Sequence, residues 1–133
     1  MLLEVAPMLV LNFGHPLTAE QCAALEAATG AAIDRVVAVP TAFDDARPFE
    51  PQVADLIGGI GFTAEEWQTT PLLVVLPGHS AIAGVLLAHL HGLLGRFPPV
   101  ARLRRADAFG RFAVAEIIDL QGVRDDARGG RFR

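Results

Sequence analysis

Residues 71–92, PLLVVLPGHSAIAGVLLAHLHG, decide the reading of this chain. Leu72 to Leu76 is an unbroken apolar run of strand length, the pattern of a strand covered on both faces. Pro77-Gly78-His79-Ser80 then turns the chain, and Ala81 to Leu94 carries it into a helix. At the start of such a helix the first backbone N–H groups lack acceptors and the positive dipole end favours an anion. Gly78 permits close backbone approach at that point, and Ser80 can cap the helix or donate to a ligand.

Outward from this stretch the same alternation recurs. Met8 to Phe13 (MLVLNF) is an apolar run, and Thr18-Ala19-Glu20-Gln21 has the spacing of a capping box. The spacing predicts a helix with Cys22, Leu25 and Ala28 on one side, ended by Gly30. Ile33 to Val39 is β-branched and stops at Pro40. After a loop containing Phe43, Asp44 and Pro48, Pro51 to Ile57 predicts a second helix, closed by Gly58-Gly59. Thr63 and Glu66 repeat the capping box and start a short helical turn, AEEW. Beyond Gly95, Val100 to Arg105 (VARLRR) alternates and Phe112 to Leu120 (FAVAEIIDL) is rich in β formers, with a turn over Asp107 to Gly110. A C-terminal β-hairpin is expected, followed by a tail from Gln121 that begins as a helical turn and frays at Gly129-Gly130.

Three strand–helix units in series imply an α/β domain built on a mostly parallel sheet with right-handed crossovers, spanning residues 1–133. Ligands of such sheets gather beyond the carboxyl ends of the strands. The first strand would bring Asn12-Phe13-Gly14-His15 to that edge, the second Thr41 to Asp45, and the third Pro77-Gly78-His79-Ser80. Asn12, Phe13, Gly14 and His15 with Pro77, Gly78, His79 and Ser80 are the candidate ligand-binding residues, and His15 and His79 are the candidate acid or base.

Composition bounds the function. One hundred and thirty-three residues, 52% of them hydrophobic, make one compact domain with a real core. The apolar stretch Leu72 to Leu94 is interrupted by Pro77, Gly78, His79, Ser80, His89 and His91, which argues for soluble core over a membrane span. Met1 to Leu11 holds Glu4 and no positive side chain, so no leader pattern is read there and a cytoplasmic location is expected. The single cysteine, Cys22, falls at an apolar helix position and reads as a small core residue. The net charge of -4 conceals a split: residues 1–95 hold two arginines and ten carboxylates, residues 96–133 nine arginines and five carboxylates. That basic last third is compatible with an anionic partner.

Several common chemistries lack their residues. A Walker A loop needs a lysine and the chain has none. Gly59 to Ala64 matches the letters GxGxxA but joins two helical segments instead of following a strand, so no dinucleotide site is expected. His89 and His91 are two apart on a helix and point apart, whereas paired metal ligands on a helix sit four apart. Ser80 lacks the GxSxG elbow that exposes a nucleophile. No cofactor and no metal are expected.

The segments LNFGHPLT (11–18), FDDARPFEPQV (43–53), EEWQTTPLLVVLPGHSAIAGVLLAHLHGLLGRFPPVARLR (65–104) and AEIIDLQGVRDDAR (115–128) are similar to a family of small CRISPR-associated accessory proteins of type III loci, number fifteen of the Csx families. The resemblance covers nearly the whole chain. It implies a Rossmann-like fold related to CARF domains, usually dimeric. It also implies a cyclic oligoadenylate ligand, the four-membered ring that serves as a second messenger in phage defence. Proteins of this group either sequester that ring or cleave it as ring nucleases.

Two classes of function follow. In a binding protein, backbone amides and arginines neutralise phosphates while Phe13, Phe43 or Phe49 stacks on adenine. In an enzyme, a ribose 2'-hydroxyl attacks its neighbouring phosphate without a metal, with His15 or His79 as acid or base. A symmetric homodimer could set two copies of the strand-end turns against one ring. Alternation sends Arg102 and Arg104 to one face of their strand and Arg105 to the other. Arg124 and Arg128 lie one helical turn apart, and Arg124 is counted with the ligand-binding residues. No long nucleic acid and no membrane is expected as a partner.

Overall fold

The computed structural model describes residues 6–131; the leader reading at the extreme N-terminus therefore falls partly on residues 1–5, outside the described part. The chain runs β1 (Met8–Asn12), α1 (Ala19–Thr29), β2 (Ile33–Ala38), α2 (Phe49–Gly58), α3 (Ala64–Thr69), β3 (Leu72–Val75), α4 (Ser80–Leu94), β4 (Val100–Arg105), β5 (Phe112–Ile118) and α5 (Leu120–Gly130). The strands form one sheet in the order β2-β1-β3-β4-β5. β1 to β4 are parallel, and β5 returns antiparallel to β4 as the second arm of a hairpin. This is an α/β fold of Rossmann-like kind with a C-terminal hairpin.

The local signals explain the elements. Both capping boxes close in full: Thr18 Oγ1 accepts from the Gln21 N–H while Gln21 Oε1 accepts from the Thr18 N–H, and Thr63 and Glu66 do the same. Each such cap stabilises its helix by about 1 kcal/mol. The second helix begins two residues earlier than expected, at Phe49, which puts Pro51 third in the first turn, where a missing N–H costs no intrahelical bond. The tail differs more. α5 continues through both Gly129 and Gly130, with Asp119 capping its start by accepting from the Gly122 N–H at 3.0 Å. Glycine costs a helix about 1 kcal/mol per residue, a penalty that does not by itself end one.

Alternation splits the sheet into two faces. Leu9, Leu11 and Phe13 of β1 and its extension, with Leu72, Val74 and Val100, pack against Val53, Ile57, Trp67, Ile82, Leu86 and Leu90 of α2, α3 and α4. Met8, Val10, Leu73, Val75 and Ala101 face the other way, with Leu25 of α1 among them. Each fully buried side chain of this size contributes about 1.5–3 kcal/mol of transfer free energy. Right-handed crossovers account for the segregation: the chain steps one way from β1 to β2 and the opposite way from β3 to β4, so α1 and α4 cover opposite faces. β2 is an edge strand with Asp34, Arg35 and Val36 exposed, and its register against β1 shifts between Met8 and Leu9, skipping Asp34.

Candidate functional site

The strand order reverses direction between β1 and β3, and their carboxyl ends lie side by side there. Asn12 pairs with Val75, and the Phe13 N–H donates to the Val75 carbonyl at 2.9 Å. In an open parallel sheet this is the topological switch point, where helices leave to opposite faces and a crevice opens between their N-termini. The loop after β1, residues 13–18, and the turn after β3, residues 76–79, flank it. The expected pairing of the two His-bearing segments is thus present, with His15 and His79 both exposed.

Asn12 shapes the first loop. Its side chain is 2% exposed, the one buried polar side chain among the described residues. Oδ1 accepts from the Gly14 N–H at 2.9 Å and Nδ2 donates to the His15 carbonyl at 2.8 Å, so the amide holds the loop and is not presented to a ligand. Gly14 fits closely: a Cβ there would lie 3.3 Å from Val75 Cγ1, which would have to give by a few tenths of an ångström, and 3.4 Å from the Leu76 carbonyl oxygen. The ring of Phe13 is fully buried in the core beneath α2 and α4. Base stacking, expected of it as one of three phenylalanines, does not fit that position; its carbonyl, which accepts from Thr41 Oγ1 at 3.3 Å, ties the first loop to the second.

The turn after β3 is built differently from the sequence expectation. Pro77 is buried, and Gly78, His79 and Ser80 are exposed. The helix cap is His79, not Ser80: the Ile82 N–H donates to His79 Nδ1 over a long 3.5 Å, and Ser80 is the first helical residue. The Ser80 and Ala81 N–H groups, at the first two positions, have no intrahelical acceptor. A Cβ on Gly78 would meet nothing within 4 Å, so this glycine faces open space at the switch-point edge.

The third contribution comes from residues 41–48. The Phe43 ring stands edge-on to Phe49 at 6.1 Å between centroids, and Phe49 edge-on to His79 at 5.2 Å. This row links the β2 loop, the start of α2 and the start of α4. One side chain staples the loop: Gln52 Oε1 accepts from the Asp44 N–H at 2.8 Å, while its Nε2 lies within 3.0–3.2 Å of the Asp44, Arg47 and Pro48 carbonyls. Asp44 also pairs with Arg47 at 3.0 Å. Nothing in the spacing of residues 43–52 announced this clamp.

The basic residues divide by edge. β4 is parallel to β3, so Arg104 and Arg105 at its end lie at the switch-point edge, Arg104 on the α4 face by alternation from Val100 and Arg105 on the α1 face. Arg102 is paired with Glu116 at 3.1 Å. Arg124 is not brought to this edge. β5 runs back to pair Ile118 with Val100, and α5 starts at the opposite end of the sheet, where the Phe97 N–H donates to Gln121 Oε1 at 2.8 Å. Arg124 there pairs with Asp125 at 2.8 Å.

Two grooves lie elsewhere. One of about 360 Å³ runs between β2 and α2, lined by Val37, Val39, Asp55 and Ile60 among others; one of about 350 Å³ lies between Glu50 and Val85, Ala88 and His89 of α4. Neither is lined by His15, Gly78 or His79. Among the described residues no group of three or more His, Cys, Asp or Glu side chains is placed to hold a metal ion. Among them also, no helix is long and apolar enough to cross a membrane. Comparison with known proteins found no family model, no curated protein and no solved structure that matches this chain.

Proposed function

We propose that the protein binds cyclic tetra-adenylate, a second messenger of type III CRISPR antiviral signalling, in the cytoplasm and lowers its free level by sequestration. The observation that carries this reading is that the Asn12–His15 loop and the Gly78-His79-Ser80 turn leave adjacent parallel strands at the β1/β3 switch point, where the first amides of α4 lack intrahelical acceptors. Support comes also from the sequence resemblance, because LNFGHPLT and LPGHS, two of its segments, are the ones that meet at this edge. A homodimer would set two such edges against one ring, each copy taking half of its phosphates.

Binding is favoured over cleavage by the state of the two histidines. His79 Nδ1 is occupied as a helix cap, and among the described residues neither His15 nor His79 is hydrogen-bonded to a carboxylate that would orient it as a base. The test mixes the protein with excess labelled ring in the absence of metal and follows it by chromatography. Sequestration depletes free ring only up to the number of sites and returns intact ring on denaturation. Linear products beyond that number would make the protein a metal-independent ring nuclease acting through 2'-hydroxyl attack, and loss of turnover without loss of binding in His15→Ala or His79→Ala would identify its acid or base. Absence of any ring binding would overturn the reading.

A further inference from the structure

The β4–β5 hairpin ends in a rigid turn that presents an aromatic ring to solvent. Phe109 is 85% exposed, the most exposed large apolar side chain among the described residues. Its position is not the result of a loose loop. Asp107 Oδ1 accepts from the Phe109 N–H at 2.9 Å and from the Arg111 N–H at 3.3 Å, and Oδ2 pairs with Arg111 Nε at 2.7 Å. The Ala106 N–H closes the turn on the Arg111 carbonyl at 2.7 Å, and Gly110 takes the positive φ of 79° that the turn demands. A phenyl ring held in water on an ordered turn offers a preformed apolar face to a ligand.

Location and charge select the occupant. Because β4 is parallel to β1 and β3, the hairpin tip rises from the same edge of the sheet as the His15 loop and the His79 turn. The strand that leads into the turn ends in Arg104 and Arg105, which take part in no ion pair among the described residues, and a guanidinium nitrogen of Arg105 would lie 4.0 Å from a Cβ on Gly110, next to Phe109. An exposed aromatic face on a tip whose strand ends in unpaired arginines matches a base carried on a phosphodiester backbone: the ring stacks on the base while the arginines meet the neighbouring phosphates. We infer that Phe109 is a base-stacking residue for the nucleotide ligand, an inference that rests on the function proposed above and adds a binding contact to it.

The test titrates the full chain with fluorescently labelled cyclic tetra-adenylate. Phe109→Ala and Phe109→Leu should each weaken binding about 10- to 100-fold, since leucine keeps the apolar volume but loses the π face. Phe109→Trp should bind within about threefold of the parent, and its indole emission should be quenched on saturation. At 85% exposure none of these changes threatens the fold, which unchanged thermal melting would verify. If the parent binds the ring and Phe109→Ala binds it equally well, stacking is refuted while the function stands. If the parent binds no ring, both fall. Should Phe109→Ala lower the sedimenting mass along with affinity, the ring is a contact between copies of the chain and the inference is overturned.

Discussion

The ring of Phe49 stands edge-on to the imidazole of His79, with centroids 5.2 Å apart and planes inclined at 74°. The first helical residue of α2 thereby braces the residue that caps α4. Edge-to-face pairs of this kind are worth about 0.5–1.5 kcal/mol beyond their area. Phe49→Ala is therefore expected to lower stability by about 2 kcal/mol, less than for a fully buried phenylalanine, and to weaken ring binding by releasing both His79 and Phe43. Denaturant unfolding and a binding isotherm on the same preparation give the two numbers.

Two glycines on either side of the switch point separate folding from binding. Gly78→Val introduces a side chain into open space, so its melting temperature should match the parent within about 0.5 kcal/mol of stability while ring affinity falls more than about tenfold. Gly14→Ala sets a methyl group 3.3 Å from Val75 Cγ1, which should destabilise the fold by about 1 kcal/mol at most. Calorimetry with and without ligand would discriminate; an unaltered affinity in Gly78→Val would refute the placement of the ligand.

Gln52→Ala removes the amide that bonds four backbone groups of residues 44–48. Because the site is exposed, the loss of global stability should be near 1 kcal/mol. Hydrogen exchange should report the change locally, as faster exchange at the Asp44 and Ala46 amides with the core strands unaffected.

The arginines at opposite edges should behave differently. Arg104→Glu is expected to weaken ring binding about tenfold or more at low salt, with the difference shrinking as salt rises; Arg124→Glu should cost less than about threefold. Equal losses for the two variants across a salt series would contradict the edge assignment.

Much of the fold was legible because its signals are local. Two capping boxes, a fully apolar β3 and the hairpin turn each predicted an element within a residue or two. What escaped the sequence depends on contacts that spacing does not encode. Ser80 has the hydroxyl that caps prefer, yet the backbone leaves the β region one residue earlier, so His79 takes that place. Asn12 is a ligand-binding candidate in the sequence by its place at a strand end alone; burial turns its amide inward to the loop. Phe13 continues the alternation of Leu9 and Leu11, which is why it joins the core. The distance of Arg124 from the crevice followed from the hairpin itself, since an antiparallel last strand must deliver its successor to the far end of the sheet.

The skipped residue in β2 bears on how the chain survives at high concentration. A sheet of this kind leaves an outer strand whose unpaired amides and carbonyls can template another chain, and a sequence half apolar is exposed to that hazard. In β2 the irregular register at Asp34 interrupts the regular hydrogen-bonding ladder, and Asp34 and Arg35 place opposite charges side by side on the free rim. A second strand laid along it would meet an interrupted ladder and two exposed charged side chains. The same pair of residues that breaks the regular pairing of β2 thus acts as a guard against edge-to-edge aggregation.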